Sequence, residues 1–158
     1  MRYMGRTVLG VLIAVVLICV PSVAMAGWPF SGTTGATVLG FGAGYRAVDG
    51  STSTHRGVDI AGTPGDSVRA PLAGTVSFAG RVPGSGGGTI LAVTIQTESG
   101  DITLLPFSGC EVVRGQTLAQ GESVGSLAEA GDGSYAGTHL HVSLRTGSLY
   151  LDRSEERR

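Results

Sequence analysis

The chain contains no lysine. Its 11 basic residues other than histidine are all arginine, against 12 acidic residues, for a formal net charge of −1. There is neither a basic run nor a basic excess, which argues against a nucleic-acid partner. Cysteine is nearly absent too, with only Cys19 and Cys110. Cys19 falls in the N-terminal leader described below, so the remainder holds one thiol and can close no internal disulfide. Cys110 lies beside apolar strand residues, and a buried, inert thiol is expected. Beyond the leader no stretch carries a sustained helical repeat. The one long apolar run, 8–20, falls short of the ~20 residues a spanning helix needs. Histidine is scarce as well, and His55, His139 and His141 are the only three.

What the chain does have begins with that leader. Arg2 and Arg6 precede the apolar run, Pro21 ends it, and Ala24-Met25-Ala26 follows as an A-x-A cleavage signal. Residues 1–26 therefore read as a secretory signal peptide, with a single membrane anchor as the other reading. The mature protein is expected outside the cytoplasm, in the cell wall or periplasm, with no membrane span. Losing Arg2 and Arg6 makes it more acidic. Its length is that of one domain.

Most of the 27 glycines fall between short runs rich in Val, Ile, Leu and Thr, at 68–70, 74–79, 89–96, 101–105, 117–118, 123–127 and 139–145. Many short strands with frequent glycine turns predict an all-β, antiparallel, sandwich-like domain. Residues 89–95 make its central strand, and 81–88 (RVPGSGGG) a flexible hairpin loop. The expected organisation is an N-terminal arm at 27–39, opened by Trp28-Pro29-Phe30, a domain at 40–152 and a frayed charged tail at 153–158.

The three histidines fall in two short motifs, HRGVD (His55 to Asp59) and HLH (His139 to His141). THLHVSL is rich in strand formers. In a strand, residues i and i+2 share a face, so His139 and His141 project together. They can serve as two ligands, as a ligand and a base, or as plain surface histidines. In HRGVD, Gly57 lets the backbone come close to a site. Asp59 lies between Val58 and Ile60, where an isolated carboxylate would be costly to bury and a metal would offset the cost. A turn-capping aspartate is the plainer reading. Two imidazoles and a carboxylate are the ligand set of a catalytic zinc that keeps one position open for water.

From Gly40 to Asp152 the motifs run in a telling order. Phe41-Gly42 leads into His55-x-Gly57-x-Asp59-x-Ala61, then Gly62-Thr63-Pro64-Gly65 and Val68-x-Ala70-Pro71-x-Ala73-Gly74-x-Val76. Gly80 follows, then Val113-x-Gly115-Gln116-x-Leu118-x-x-Gly121-x-x-Val124-Gly125, and finally Gly137-Thr138-His139-Leu140-His141. This series resembles the lysostaphin/LytM-type family of secreted zinc endopeptidases that cut peptidoglycan peptides. The resemblance implies that His55, Asp59 and His141 hold one Zn²⁺ and that His139 is a catalytic histidine. It implies peptidoglycan stem and cross-link peptides as substrate.

The chain departs from that family at one place. The family carries another catalytic histidine in a Thr-x-Tyr-x-His-Leu strand, where this sequence reads Thr103-Leu104-Leu105-Pro106-Phe107-Ser108. Phe107 stands for the histidine and Leu105 for the tyrosine. No spare histidine exists, so the loss does not depend on alignment. Losing one such group costs on the order of 10²- to 10³-fold in rate. The expectation is a slow zinc endopeptidase. The alternative is a catalytically impaired zinc-binding module that regulates or scaffolds a partner cell-wall hydrolase.

Other features carry less. Ser85-Gly86-Gly87-Gly88 has no following lysine or helix and reads as a flexible loop rather than a phosphate cradle. Glu129 and Asp132 precede HLH, where a solvated loop is expected and substrate binding is the other reading. Tyr135 either lines the groove or covers a sheet edge. Arg56 and Arg145 flank the motifs and read as exposed arginines, or as guides for acidic peptides.

Overall fold

The computed structural model describes residues 27, 29–30, 35–47, 50–85 and 87–152. The expected signal peptide, Trp28 and the charged tail lie outside the described residues. Among the described residues there are twelve strands and no helix, so no helix is long and apolar enough to cross a membrane. The domain is all-β, and every strand pairing is antiparallel.

The main sheet runs β1 (Thr37–Leu39), β4 (Val58–Ala61), β11 (His139–Thr146), β8 (Gly100–Cys110), β7 (Thr89–Thr97), β6 (Gly74–Pro83) and β9 (Thr117–Leu118). β5 (Ser67–Arg69) pairs with β10 (Ser123–Leu127), which also pairs with the far end of β8. β12 (Leu149–Leu151) pairs with β11. A separate hairpin joins β2 (Gly44–Arg46) and β3 (Thr52–Thr54). Two strands are longer than expected. β6 runs on through Pro83 into what reads as loop, and β8 runs on through Cys110. The β6 extension is held by its pairing with β7, and the far end of β8 by its pairing with β10, a tertiary cause that outweighs local glycine and proline.

Alternation along each strand sorts two faces. Val58 and Ile60, Leu140 and Leu144, Ile102 and Leu104, Val93 and Ile95, and Val76 turn into one core with Val68, Val124 and Leu127. Phe30 reaches that core through a bridge to Val68. The opposite face carries Asp59, His139, His141 and Ser143. Opposed residues in a ladder share a face, so Asp59, His141 and Leu105 form one row. Ser143, Thr103, Thr94 and Phe78 form the next row.

The Cys110 expectation needs correction, because its side chain is half-buried rather than enclosed. Burial still pushes its thiol pKa up, which keeps it in the unreactive protonated form.

Candidate metal and catalytic site

β4 and β11 lie side by side with His141 opposite Asp59 and His139 opposite Ala61. This register carries HRGVD and HLH to one place although they are far apart in sequence. His55 follows β3 directly and is fixed by backbone bonds to Ala43 and Gly42. Its Nδ1 donates to the Gly40 carbonyl at 3.0 Å. In the neutral ring Nε2 is then a bare lone pair, and it faces inward. It stands 2.9 Å from His141 Nδ1 and 3.0 Å from Asp59 Oδ1, and His141 Nδ1 is 2.8 Å from that same oxygen.

Three acceptor atoms do not converge so closely without a proton or a cation among them. Ligands at ~2.0–2.1 Å from a tetrahedral zinc stand ~3.3 Å apart, a few tenths of an ångström beyond these edges. The donor set and spacing fit zinc. Asp59 and His55 are buried, and His141 keeps a little solvent contact. Gly57 is required here, because a Cβ on it would lie 2.6 Å from His141 Cε1 and 2.7 Å from Nε2.

His139 is fully enclosed, at 0% exposure. Its Nδ1 donates to the Gly137 carbonyl at 2.7 Å. Nε2 faces Asp132 Oδ1 at 3.0 Å, Ser134 Oγ at 3.3 Å and Asp59 Oδ2 at 3.7 Å. Gly131 packs directly on the ring, leaving no room for a Cβ. Tyr135 meets the ring edge-on with centroids 5.9 Å apart.

Asp132 corrects the expectation of a solvated loop. It turns inward because Ser134, two residues on, hydrogen-bonds it through both backbone and side chain. The Ser85 hydroxyl also holds its carbonyl at 2.5 Å. Its Oδ2 lies 3.6 Å from His141 Nδ1. The sequence carried no signal for this, since Asp-Gly-Ser between strands reads as an ordinary turn. Glu129 stays exposed.

The electrostatics follow from these contacts. Burial opposes ionisation of Asp59 and Asp132. Hydrogen bonds from the histidines and Ser134 outweigh it, holding Asp59 well below the usual carboxylate value and Asp132 at about 2. Burial likewise opposes charge on His55 and His139. Their bonds to Asp59 and Gly40, and to Asp132 and Gly137, raise both above 6.5.

The arginines are engaged rather than free. Arg56 sits over the Tyr150 ring at 5.6 Å, and Arg145 pairs with Asp101 at 3.4 Å. The strand expected to carry the further histidine is irregular. Leu105 lies opposite His141 on the site face. Between Val93↔Leu104 and Leu91↔Phe107 the β7–β8 register shifts by one. Phe107 therefore shares the core face with Leu104 and is 3% exposed.

Comparison with known proteins bears on the fold and the family. No curated protein sequence matches the chain. Among solved structures, a chain of the SpoIIQ-SpoIIIAH pore-forming complex is similar at TM-score 0.70 and 19% identity, over 84% of this chain and 90% of that one. The catalytic domain of the antimicrobial peptidase lysostaphin from Staphylococcus simulans is similar at TM-score 0.61 and 23% identity, over 75% of this chain and 88% of that one. A zinc-containing peptidase from Vibrio cholerae gives TM-score 0.67 and 22% identity, over 82% of this chain and 39% of that one. At such identities these likenesses speak to fold. The sequence model of Peptidase family M23 matches residues 53–153, the stretch that holds both motifs, and the chain belongs to that family.

Proposed function

We propose that this protein is an exported zinc endopeptidase that hydrolyses peptide bonds in peptidoglycan cross-links, slowly for its family. The observation that carries the reading is the convergence of His55 Nε2, Asp59 Oδ1 and His141 Nδ1 with His139 beside them. In this reading His55, Asp59 and His141 hold the metal. When bound there, zinc supplies Lewis acidity that activates water and polarises a carbonyl. His139 Nε2 takes and returns the proton, its tautomer set by the Gly137 carbonyl. Asp132 orients that ring and stabilises the imidazolium as it forms. The row Ser143, Thr103, Thr94 and Phe78 beside the site offers a polar floor with one exposed aromatic for an extended peptide.

Digestion of purified peptidoglycan with mass analysis of the released fragments tests this. Zinc-dependent release of cross-link peptides is expected. No release from several peptidoglycan types after long incubation would sink it.

A second reading is favoured by two observations. An apolar Leu105 stands where the site face could carry another acid/base group, and His139 is wholly covered. On that reading the domain binds zinc but acts as a regulatory or scaffolding partner of another cell-wall hydrolase. It predicts retention on peptidoglycan or on such a hydrolase without cleavage.

A further inference from the structure

Asp59 belongs to two groups of potential ligands. Its Oδ1 faces His55 and His141, and its Oδ2 faces the side where Asp132 and His139 lie. That second group has the features of the first. His139 Nδ1 donates to a backbone carbonyl, which leaves Nε2 as an inward lone pair, as Gly40 does for His55.

A proton count adds an independent observation. Ser134 Oγ stands 2.5 Å from Asp59 Oδ2 and 2.5 Å from Asp132 Oδ1. A hydroxyl has one proton and can serve only one of them. The other carboxylate oxygen faces a lone pair at a distance that is repulsive without a positive charge nearby. His139 Nε2, with Asp132 Oδ1 at 3.0 Å, repeats the conflict. With His139 neutral, Asp59 Oδ2, Asp132 Oδ1 and His139 Nε2 are acceptors that share the one Ser134 hydroxyl proton and, at Asp132, the Ser134 amide. A cation among them satisfies all three, a place that a proton on His139 fills when no cation is bound.

We propose that Asp59 Oδ2, Asp132 and His139 Nε2 form a second divalent-cation site, bridged to the first through the Asp59 carboxylate. Bridged cations of this kind sit ~3.5–4 Å apart. The second site is the weaker one. It has a single imidazole, and its shared carboxylate is already partly neutralised by the first cation. Occupancy occupies His139 Nε2, so on the reading of His139 as the acid/base group the second cation switches the enzyme off. Zinc then has two opposed effects, with the first equivalent enabling turnover and the second stopping it.

The test is titration of metal-free protein with Zn²⁺ alone, counting bound equivalents by elemental analysis after equilibrium dialysis. Two equivalents are expected, the second at least tenfold weaker. Asp132→Ala should bind one, and the more conservative Asp132→Asn should weaken the second equivalent while keeping the loop's shape. Turnover against zinc should rise and then fall in the native protein. In both variants it should be lower at its maximum, because Asp132 holds the His139 ring, with the fall displaced to higher zinc. Saturation at one equivalent, or a second equivalent unchanged in both variants, would overturn the proposal. Loss of the tighter equivalent in His55→Ala tests the first site separately, so the two readings fail independently. A protein that takes up no zinc at all refutes both.

Discussion

His139 and His141 are two residues apart on one strand face, yet their nitrogens face different groups. His141 turns Nδ1 toward Asp59 and His55, while His139 turns Nε2 toward Asp132. His139→Ala should therefore abolish cleavage and leave the tighter zinc equivalent in place, measured by turnover and metal content on the same sample. Gly57→Ala should act the other way. Its methyl would collide with the His141 ring and with the Val142 carbonyl oxygen on β11, so zinc affinity should fall by about tenfold or more and the β4–β11 pairing should be strained. Protonation gives a further check. His55 has its pKa raised above 6.5, so near neutral pH a proton competes with the metal for Nε2. As pH falls through that raised value, zinc affinity should fall. Competition titrations with a chromophoric chelator across about pH 5.5–8 (~300-fold in proton activity) would show it. Affinity independent of pH over that range would refute the ligand role of His55. His55, Asp59, His139 and His141 were all legible in the sequence, because scarce histidines in fixed motifs leave few arrangements. Asp132 and Ser134 were not legible. Their inward turn depends on bonds to Ser85 and the strand-bound residues, which no local pattern encodes.

At the scale of the element, β8 decides what chemistry can be regained. Its alternation places Thr103 and Leu105 on the site face, and the register shift then moves Phe107 to the core. Phe107→His should therefore not raise the cleavage rate. It should cost on the order of 3 kcal/mol by replacing a packed ring with a buried polar one, read from denaturant unfolding. Leu105→His, opposite His141, places an imidazole on the site face and should give the higher turnover of the two. If Phe107→His proves faster at full stability, the strand does not shift as described. The sequence showed that the histidine was missing. It could not show that its replacement points elsewhere, because a bulge arises from pairing between strands and leaves no period in either one. The all-β class was legible for the opposite reason: short apolar runs between glycines record the pleat directly.

For the whole molecule, stability resides on one face and chemistry on the other. Leu140 is 0% exposed, and the histidines on either side of it point to the opposite face of the sheet. Leu140→Ala should destabilise the fold by ~2–5 kcal/mol and would loosen the strand that carries both imidazoles. Zinc should restore part of that loss. A ligand that binds only the folded state adds ~2.7 kcal/mol at a hundred times its dissociation constant, and a melting curve with and without chelator would show the difference. The same pairing has a consequence for assembly. His55 and His141 are 86 residues apart in sequence, and the turn joining β6 to β7 lies between them. A chain cut in that turn leaves HRGVD on one fragment and HLH on the other. Neither piece alone owns a complete set of ligands. Metal uptake by a mixture of the two would be a direct signal that the halves had found each other, and the ion would act as the clasp that keeps a severed protein whole.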